Sequence, residues 1–376
     1  MGFLTSIFSK ILSIIKNIGI LVTMAIGVAL VATAYCGYVD PEKTANFAVL
    51  GMGFPIVLVV HLIVLLVWLV VRRWRVALMS LLFVVACYPA LITFSPLNFV
   101  SELVPADSTF KVLTYNVMNF DDSEKKKGEN RTLRYILNAN ADIVILQEAA
   151  ALVKMDDLDI IKSLIPELNG KYPYREKRLR DLVILSKYPY TVETEKIATT
   201  TKALYNKSTA YKVRVKGKVL NVINVHLESI GLTDNDKALY REITDISSSS
   251  ENLKENLVDE VKSGMLTKLA TAFKHRASQA KDVRAYIDSL GNENVILCGD
   301  FNDTPYSFSY NTIKGDDMLE AYKECALGPT ITFHDNRFYF RIDHVLYKGD
   351  FEAVDIKRGN EKSSDHYPLL VTFHWK

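Results

Sequence analysis

The chain has 376 residues, 49% of them hydrophobic, and a formal net charge of +2. That average joins two unlike segments: residues 1–104 hold nine charged side chains, while the remainder holds 39 basic and 40 acidic ones. A near-neutral second segment argues against a broad basic surface for nucleic acid without excluding a local groove, and four cysteines with no Cys-x-x-Cys spacing give no sign of zinc.

In the first segment, three runs without charge stand out, Ile18–Val39, Thr44–Val71 and Val76–Ser101. Each exceeds the ~20 apolar residues needed to cross ~30 Å of hydrocarbon. Three transmembrane helices are therefore expected, at about 18–39, 47–71 and 76–95, forming a membrane anchor over residues 1–95. Pro55 and Pro89 are tolerable kinks there, and His61 reads as a packed or interhelical side chain. Lys10 and Lys16 precede the first run, and Arg72, Arg73 and Arg75 separate the second from the third. The positive-inside rule places both groups in the cytoplasm. The loop Asp40–Lys43 and everything beyond residue 95 then lie outside: an integral membrane protein with a cytoplasmic N-terminus and an extracytoplasmic catalytic domain. A signal peptide cleaved after Ala32-Thr33-Ala34 is the competing reading and leaves that domain outside as well. Gly2 with Ser6 also fits a myristoylation pattern, which nothing else supports.

Residues 96–108, with Pro96 and Pro105, read as a linker. Beyond them, strand-like runs recur at 110–116, 142–147, 181–186, 208–215, 219–226, 294–299, 341–347, 352–357 and 368–374. Helical patterns lie between them at Asn130–Ala139 and Lys274–Leu290, which together predict an α/β layered domain. Residues 227–274 read as an insertion with helical patterns at Asp236–Ile243 and Leu253–Phe273. The apolar stripe from Leu253 to Leu269 suits a helix on the domain flank, or a lid or membrane-facing surface above the site. An external location would permit a Cys298–Cys325 disulfide.

The strand ends carry the chemistry. In order they read Tyr115-Asn116, Gln147-Glu148, Ser186 to Pro189, Asn224 to Glu228 around His226, Gly299-Asp300-Phe301-Asn302-Asp303, Arg341 to His344 around Asp343, and Ser364-Asp365-His366. Carboxylates and amides at strand ends are the hard oxygen ligands that Mg²⁺ selects. With histidines beside them, they form the inventory of a metal-assisted phosphoester hydrolase.

This ordered set strongly resembles the endonuclease/exonuclease/phosphatase superfamily over roughly Thr109–Lys376. The resemblance implies a DNase I-like four-layer α/β/β/α sandwich of two mixed sheets, with the catalytic domain at 109–376. It also implies roles. Glu148 and Asn116 would place Mg²⁺, for which Mn²⁺ can substitute, and Asp365 would support that metal or a second one. His366 would be the base, its tautomer fixed by Asp343; in a competing assignment Asp300 positions or deprotonates the nucleophile. Asn302 would contact a phosphoryl oxygen, and His226 would donate to the phosphate. Arg276 and Gln279 stand as accessories whose role, functional or structural, is open.

The substrate is a phosphoester, and the membrane anchor, with the lipid bilayer as its partner, favours a phospholipid or sphingolipid head group. An extracytoplasmic nuclease is the alternative, and a catalytically idle anchored binding protein the third reading. Phe338, Tyr339 and Phe340 would form an apolar wall beside the site or pack in the core. No protein partner is indicated.

Overall fold

The computed structural model describes residues 2–99, 105–121, 130–154, 165–176, 181–194, 197, 208–231, 251–335 and 338–376. Five helices open the chain: α1 (Gly2–Tyr35), α2 (Pro41–Val49), α3 (Phe54–Val70), α4 (Trp74–Ala86) and α5 (Tyr88–Phe94). Two stretches, Lys10–Tyr38 and Pro41–Val70, are long and apolar enough to cross a membrane, and α4 with α5 adds a third if the bent pair counts as one span. That pair bends by 67°, so the third expected span is broken. The cause is Pro89, which lacks an N–H and whose ring clashes with the carbonyl one turn back. Pro55 does not kink the second span; it sits in the first turn of α3, where a missing N–H leaves no gap.

The outer face of these helices is apolar: Ile14, Leu21, Val28, Ile56, Leu66 and Val70 are all largely exposed. Buried polar side chains tie these helices to one another. His61 is fully buried and donates Nε2–H to Ser80 O at 2.9 Å, tying α3 to α4. Trp68 Nε1 donates to Thr23 Oγ1 at 2.8 Å, tying α3 to α1.

Among the described residues, the remaining chain builds two six-stranded mixed sheets. Its strands are β1 (Thr109–Asn116), β2 (Ile143–Gln147), β3 (Tyr174–Arg175), β4 (Val183–Ser186), β5 (Tyr190–Thr194), β6 (Ser208–Val215), β7 (Lys218–His226), β8 (Val295–Asp300), β9 (Leu319–Glu320), β10 (Asp343–Lys348), β11 (Phe351–Arg358) and β12 (Leu369–Trp375). One sheet has the order β11-β12-β1-β2-β4-β3, the other β5-β6-β7-β8-β10-β9. In each sheet the central pair, β1 with β2 and β7 with β8, is parallel and the other pairs are antiparallel.

Strand alternation sorts the side chains into layers. Phe110 and Val112 of β1 point toward the second sheet and meet Tyr211, Val222 and Ile296 in one buried core. Leu113 and Tyr115 point the other way, onto the helix Arg131–Ala139 through Leu133 and Ile136. On the far side, Ile223 and Leu297 pack under Ala280, Val283 and Ile287 of a long helix, Glu251–Ser289. The order is helix, sheet, sheet, helix. The two patterns expected at Leu253–Phe273 and Lys274–Leu290 form this single helix, since no Gly or Pro falls at the junction to break it. The pattern at Asp236–Ile243 and the side chains of Leu253, Leu257 and Val261 lie outside the described residues. All four cysteines are free, so Cys298 and Cys325 do not pair.

The apolar helices are seated on the sandwich. Gly37 packs so tightly that a Cβ there would lie 2.1 Å from Tyr306 O. Leu269 and Phe273 of the long helix form one buried cluster with Ala48, and Met52 packs against it. Lys281 Nζ reaches Asp40 Oδ2 at 2.7 Å and also contacts Glu42. The expected linker is pinned at its start, where Leu97 forms an antiparallel bridge with Leu327 and Asn98 Nδ2 donates to Ala326 O at 3.0 Å.

Candidate active site

Both sheets deliver their functional side chains to one edge. β1, β2, β7 and β8 end there at or beside Asn116, Glu148, His226 and Asp300. The antiparallel neighbours begin there: Asp343 pairs in register with Asp300, and β12 starts just after His366. Two sheet-to-sheet hydrogen bonds floor the site, Gln147 Nε2 to Asn224 Oδ1 at 2.8 Å and Asn224 Nδ2 to Leu146 O at 2.9 Å. Gly299 lets β8 pass β7 this closely. Its φ is +142°, and a Cβ there would stand 2.0 Å from Val225 O.

Asp300 is the hub. Its Oδ2 accepts from Asn116 Nδ2 at 3.1 Å, and its Oδ1 accepts from the Asn302 backbone N–H at 2.7 Å. Asn116 Nδ2 also donates to Glu148 Oε1 at 3.1 Å. Two imidazoles face this group. His366 donates Nδ1–H to Asp343 Oδ2 at 2.9 Å, which turns its Nε2 to 3.5 Å from Asp300 Oδ2. His226 donates Nδ1–H to Asp181 Oδ2 at 3.2 Å, leaving Nε2 3.8 Å from both Glu148 Oε1 and Asp300 Oδ2.

The environments shift these groups strongly. Burial alone would lower His366, but the charges of Asp343 and Asp300 and the hydrogen bond to Asp343 carry it up to about 10. Burial also opposes charge on His226, yet the hydrogen bond to Asp181 and the charges of Asp300 and Glu148 raise it. Glu148 is raised, chiefly by burial, with Asp365 and Asp300 adding repulsion. Glu148 and Asn302 both sit at φ 50°, in the left-handed region. Asn adopts that region readily; for Glu it is a local cost that the surrounding contacts sustain.

A pocket of about 580 Å³ opens over these groups, lined by Glu148, His226, Asp300, Asn302, Asp365 and His366. Asn116 and Asp343 lie just behind, so all eight expected residues meet at one place. Among the described residues, the acid and histidine side chains near enough to share one ion are Asp300, Asp343 and His366, whose ligand atoms lie within 4.8 Å of one another. Asp343 is already committed to His366 Nδ1, which makes it an orienting group.

Arg276 also lines the pocket, but its Nε pairs with Asp303 Oδ2 at 3.2 Å and its Nη1 donates to Glu228 O at 2.9 Å. Gln279 accepts from the Glu228 backbone N–H at 2.8 Å and braces the loop after β7. Asn302 Nδ2 donates to Leu227 O at 3.0 Å, leaving its second amide hydrogen for the pocket.

Sequence reasoning did not single out Asp181, Met52 or Phe273, all of which line the pocket. Asp181 stands just ahead of β4, and a lone acid before an apolar strand is its only signal. The apolar wall comprises Met52, Ile230, Phe273, Phe333, Phe338 and Phe340. Of the expected aromatics, Phe338 and Phe340 join it, whereas Tyr339 turns outward and is 59% exposed.

A sequence profile of the endonuclease/exonuclease/phosphatase family matches residues 113–366. The chain belongs to that family. Its members are metal-dependent phosphoester hydrolases. A second profile, for a domain of unknown function, matches residues 12–94. No curated protein sequence matches the chain. Similar solved structures include an endonuclease/exonuclease/phosphatase family protein from Bacteroides thetaiotaomicron, at 18% identity over 71% of this chain and 98% of that one, with a TM-score of 0.46. The human Nocturnin catalytic domain with bound sulfate is similar at 15% identity over 74% of this chain and 97% of its own, with a TM-score of 0.46. D. rerio TDP2 complexed with single-strand DNA product matches at 16% identity over 71% of this chain and 100% of its own, again with a TM-score of 0.46.

Proposed function

We propose that this chain is a membrane-anchored, divalent-cation-dependent phosphoester hydrolase that acts on lipid head groups outside the cytoplasm. The observation that carries the reading is one pocket with two characters: acids, an amide and two histidines at its base, and an apolar wall that includes Met52 from between membrane helices.

The donor set fits a hard divalent cation. Glu148, Asp181, Asp300, Asp343 and Asp365 outnumber His226 and His366, and the resulting negative site suits Mg²⁺, with Mn²⁺ as substitute. Glu148 and Asn116 would hold the ion, with Asp365 in support. Such an ion supplies charge stabilisation at the phosphoryl oxygens and lowers the pKa of bound water.

The protein's own groups divide the remaining work. With Nδ1–H fixed on Asp343, His366 aims Nε2 into the site. Where a bound cation offsets the carboxylate charge that holds its pKa up, Nε2 is free to accept the proton of the attacking water. Asp300 shares that neighbourhood and either orients the same water or takes its proton. His226, held by Asp181 and raised toward its charged form, points Nε2 into the site to donate to a phosphoryl oxygen. The second amide hydrogen of Asn302 serves the same end.

Sidedness is supported by geometry. Asp40, which caps α2, and Glu42 in its first turn are ion-paired to the catalytic domain through Lys281, so the start of α2 and that domain lie at the same end of the helices. Arg72, Arg73 and Arg75 follow α3, which at ~1.5 Å per residue puts them roughly 25 Å away at the other end. The arginines belong on the cytoplasmic side.

The deciding experiment presents the full chain in lipid nanodiscs with phosphatidylcholine, sphingomyelin, DNA, RNA and bis-p-nitrophenyl phosphate, with Mg²⁺ or EDTA. Cation-dependent cleavage of a lipid head group is expected. Robust cleavage of DNA without lipid hydrolysis would transfer the case to a nuclease.

A further inference from the structure

A second cavity, of about 430 Å³, lies in the seam between the apolar helices and the sandwich. Pro55 and Phe94 line it from the helices, and Tyr306, Tyr339, Arg358 and Tyr367 from the domain. We propose that it binds an anionic phospholipid of the surrounding bilayer, with the lipid phosphate at Arg358 and an acyl chain along Phe94 and Tyr306.

Charge comes first. The cavity holds two arginines, and only one is neutralised. Arg341 Nη1 is bonded to Glu320 Oε1 at 2.6 Å, its Nη2 donates to Thr93 O, and both Arg341 and Glu320 are buried. Arg358 stacks on the Tyr367 ring at 4.1 Å and donates Nη2 to Asn360 Oδ1 at 3.0 Å. Among the described residues it has no carboxylate partner. A cation held against an aromatic face and lacking a counter-charge is prepared for an anion, and a guanidinium matches phosphate geometry.

The apolar half of the argument is position. Pro55 opens α3 and Phe94 ends α5, so the cavity begins where the apolar helices meet the domain. Exposed apolar side chains stand in its lining and in the chain next to it: Tyr339 at 59% in the lining, Leu97 at 61% and Phe99 at 78% just after Phe94, and Leu327 at 57% just before Pro329. Aromatic and aliphatic side chains left open at the end of membrane helices match the head-group layer of a bilayer. Free phosphate would use Arg358 alone, whereas a lipid uses both halves of the cavity.

The cavity also shares Thr304 and Phe340 with the catalytic pocket. Phe340 pairs with Phe333, whose ring lies 5.0 Å from that of His366. An acyl chain in the seam would therefore back the wall of the active site.

The test uses the full chain in nanodiscs containing phosphatidic acid with a photoactivatable acyl chain, in EDTA so that no turnover enters the result. Crosslinks are mapped by mass spectrometry. Those at Phe94, Tyr306 or Tyr339 are expected, with yield falling about tenfold in Arg358→Gln, as loss of a charge-assisted phosphate contact requires. Arg358→Lys keeps the charge without the planar fork and should give an intermediate yield, and an unchanged Tm in both variants separates a lost contact from lost folding. Equal yield in Arg358→Gln, crosslinks confined to the outer face of α1, or equal labelling by a phosphatidylcholine probe would overturn the proposal. So would full competition by inorganic phosphate. Because labelling is read without hydrolysis, this outcome is independent of the catalytic reading.

Discussion

His226 and Asp181 face each other at 3.2 Å, the imidazole Nδ1–H donating to the carboxylate Oδ2 in a pair that is almost wholly buried. The pair fixes which nitrogen of His226 points at the acids and, against the opposing effect of burial, helps to raise that ring's pKa. Asp181→Asn should therefore lower kcat by about 10- to 100-fold, the range typical of a carboxylate that orients a site histidine. KM for a small diester should change little. A loss confined to KM would mean that Asp181 serves binding alone.

Cation removal gives a second expectation. EDTA should abolish turnover, and Mg²⁺ or Mn²⁺ should restore it. His366→Ala should reduce kcat by about 10²–10⁴-fold, while Glu148→Gln should raise the Mg²⁺ concentration needed for half-maximal activity. Full turnover in chelator would remove the metal from the mechanism.

Stability should respond to acid through Glu320. Its carboxylate accepts from Arg341 Nη1 at 2.6 Å, His344 Nδ1 at 3.2 Å and Tyr310 Oη at 2.8 Å. Burial would raise its pKa, but the Arg341 charge and these bonds hold it below the ordinary 4.5. A folded-state value below the unfolded one stabilises the fold above pH 4.5, and that contribution disappears as pH falls through the lowered value. Tm measured across pH 3 to 7 should decline at the acid end, and the slope should flatten in Glu320→Gln. That variant should also lose about 3–5 kcal/mol at neutral pH, because Arg341 is left buried without its partner. Parallel Tm profiles for both proteins would show that another group controls acid unfolding.

The apolar wall should discriminate between substrates. Met52→Ser and Phe338→Ser should each slow hydrolysis of a micellar phospholipid about tenfold more than that of bis-p-nitrophenyl phosphate, the effect of losing one buried apolar side chain. Equal losses on both would assign the wall to folding.

Topology is open to a direct assay. Protease added to intact spheroplasts should digest the catalytic domain and leave a fragment containing α1 to α5. Protection until lysis would place the domain in the cytoplasm.

The strand-end residues were legible because each stands where an apolar run stops, and a carboxylate or imidazole there has little other use. Strand and helix periodicity likewise exposed an α/β layered domain, while the four-layer sandwich was legible only through the resemblance to the family. β3 and β9 escaped because each spans two residues, too few for periodicity, and β5 because its side chains are mostly half-exposed. Pro89 marked a kink in Val76–Ser101, but the run carries no charge along its length, so the size of the bend, 67°, was legible only in the backbone. Asp181 and Met52 were invisible for a different reason. Their roles come from contacts with His226 and with the pocket wall, across separations that no local pattern encodes.

Met52 belongs to the turn between two helices of the apolar bundle, yet it completes the wall around the catalytic residues. Separating the domain from the apolar helices would not leave this pocket whole. It would remove one side of the cleft and uncover Leu269 and Phe273, both buried against the anchor, at roughly 1.5–3 kcal/mol each. The cleft is thus assembled from both parts of the chain, and a version trimmed for solubility would report on a different pocket.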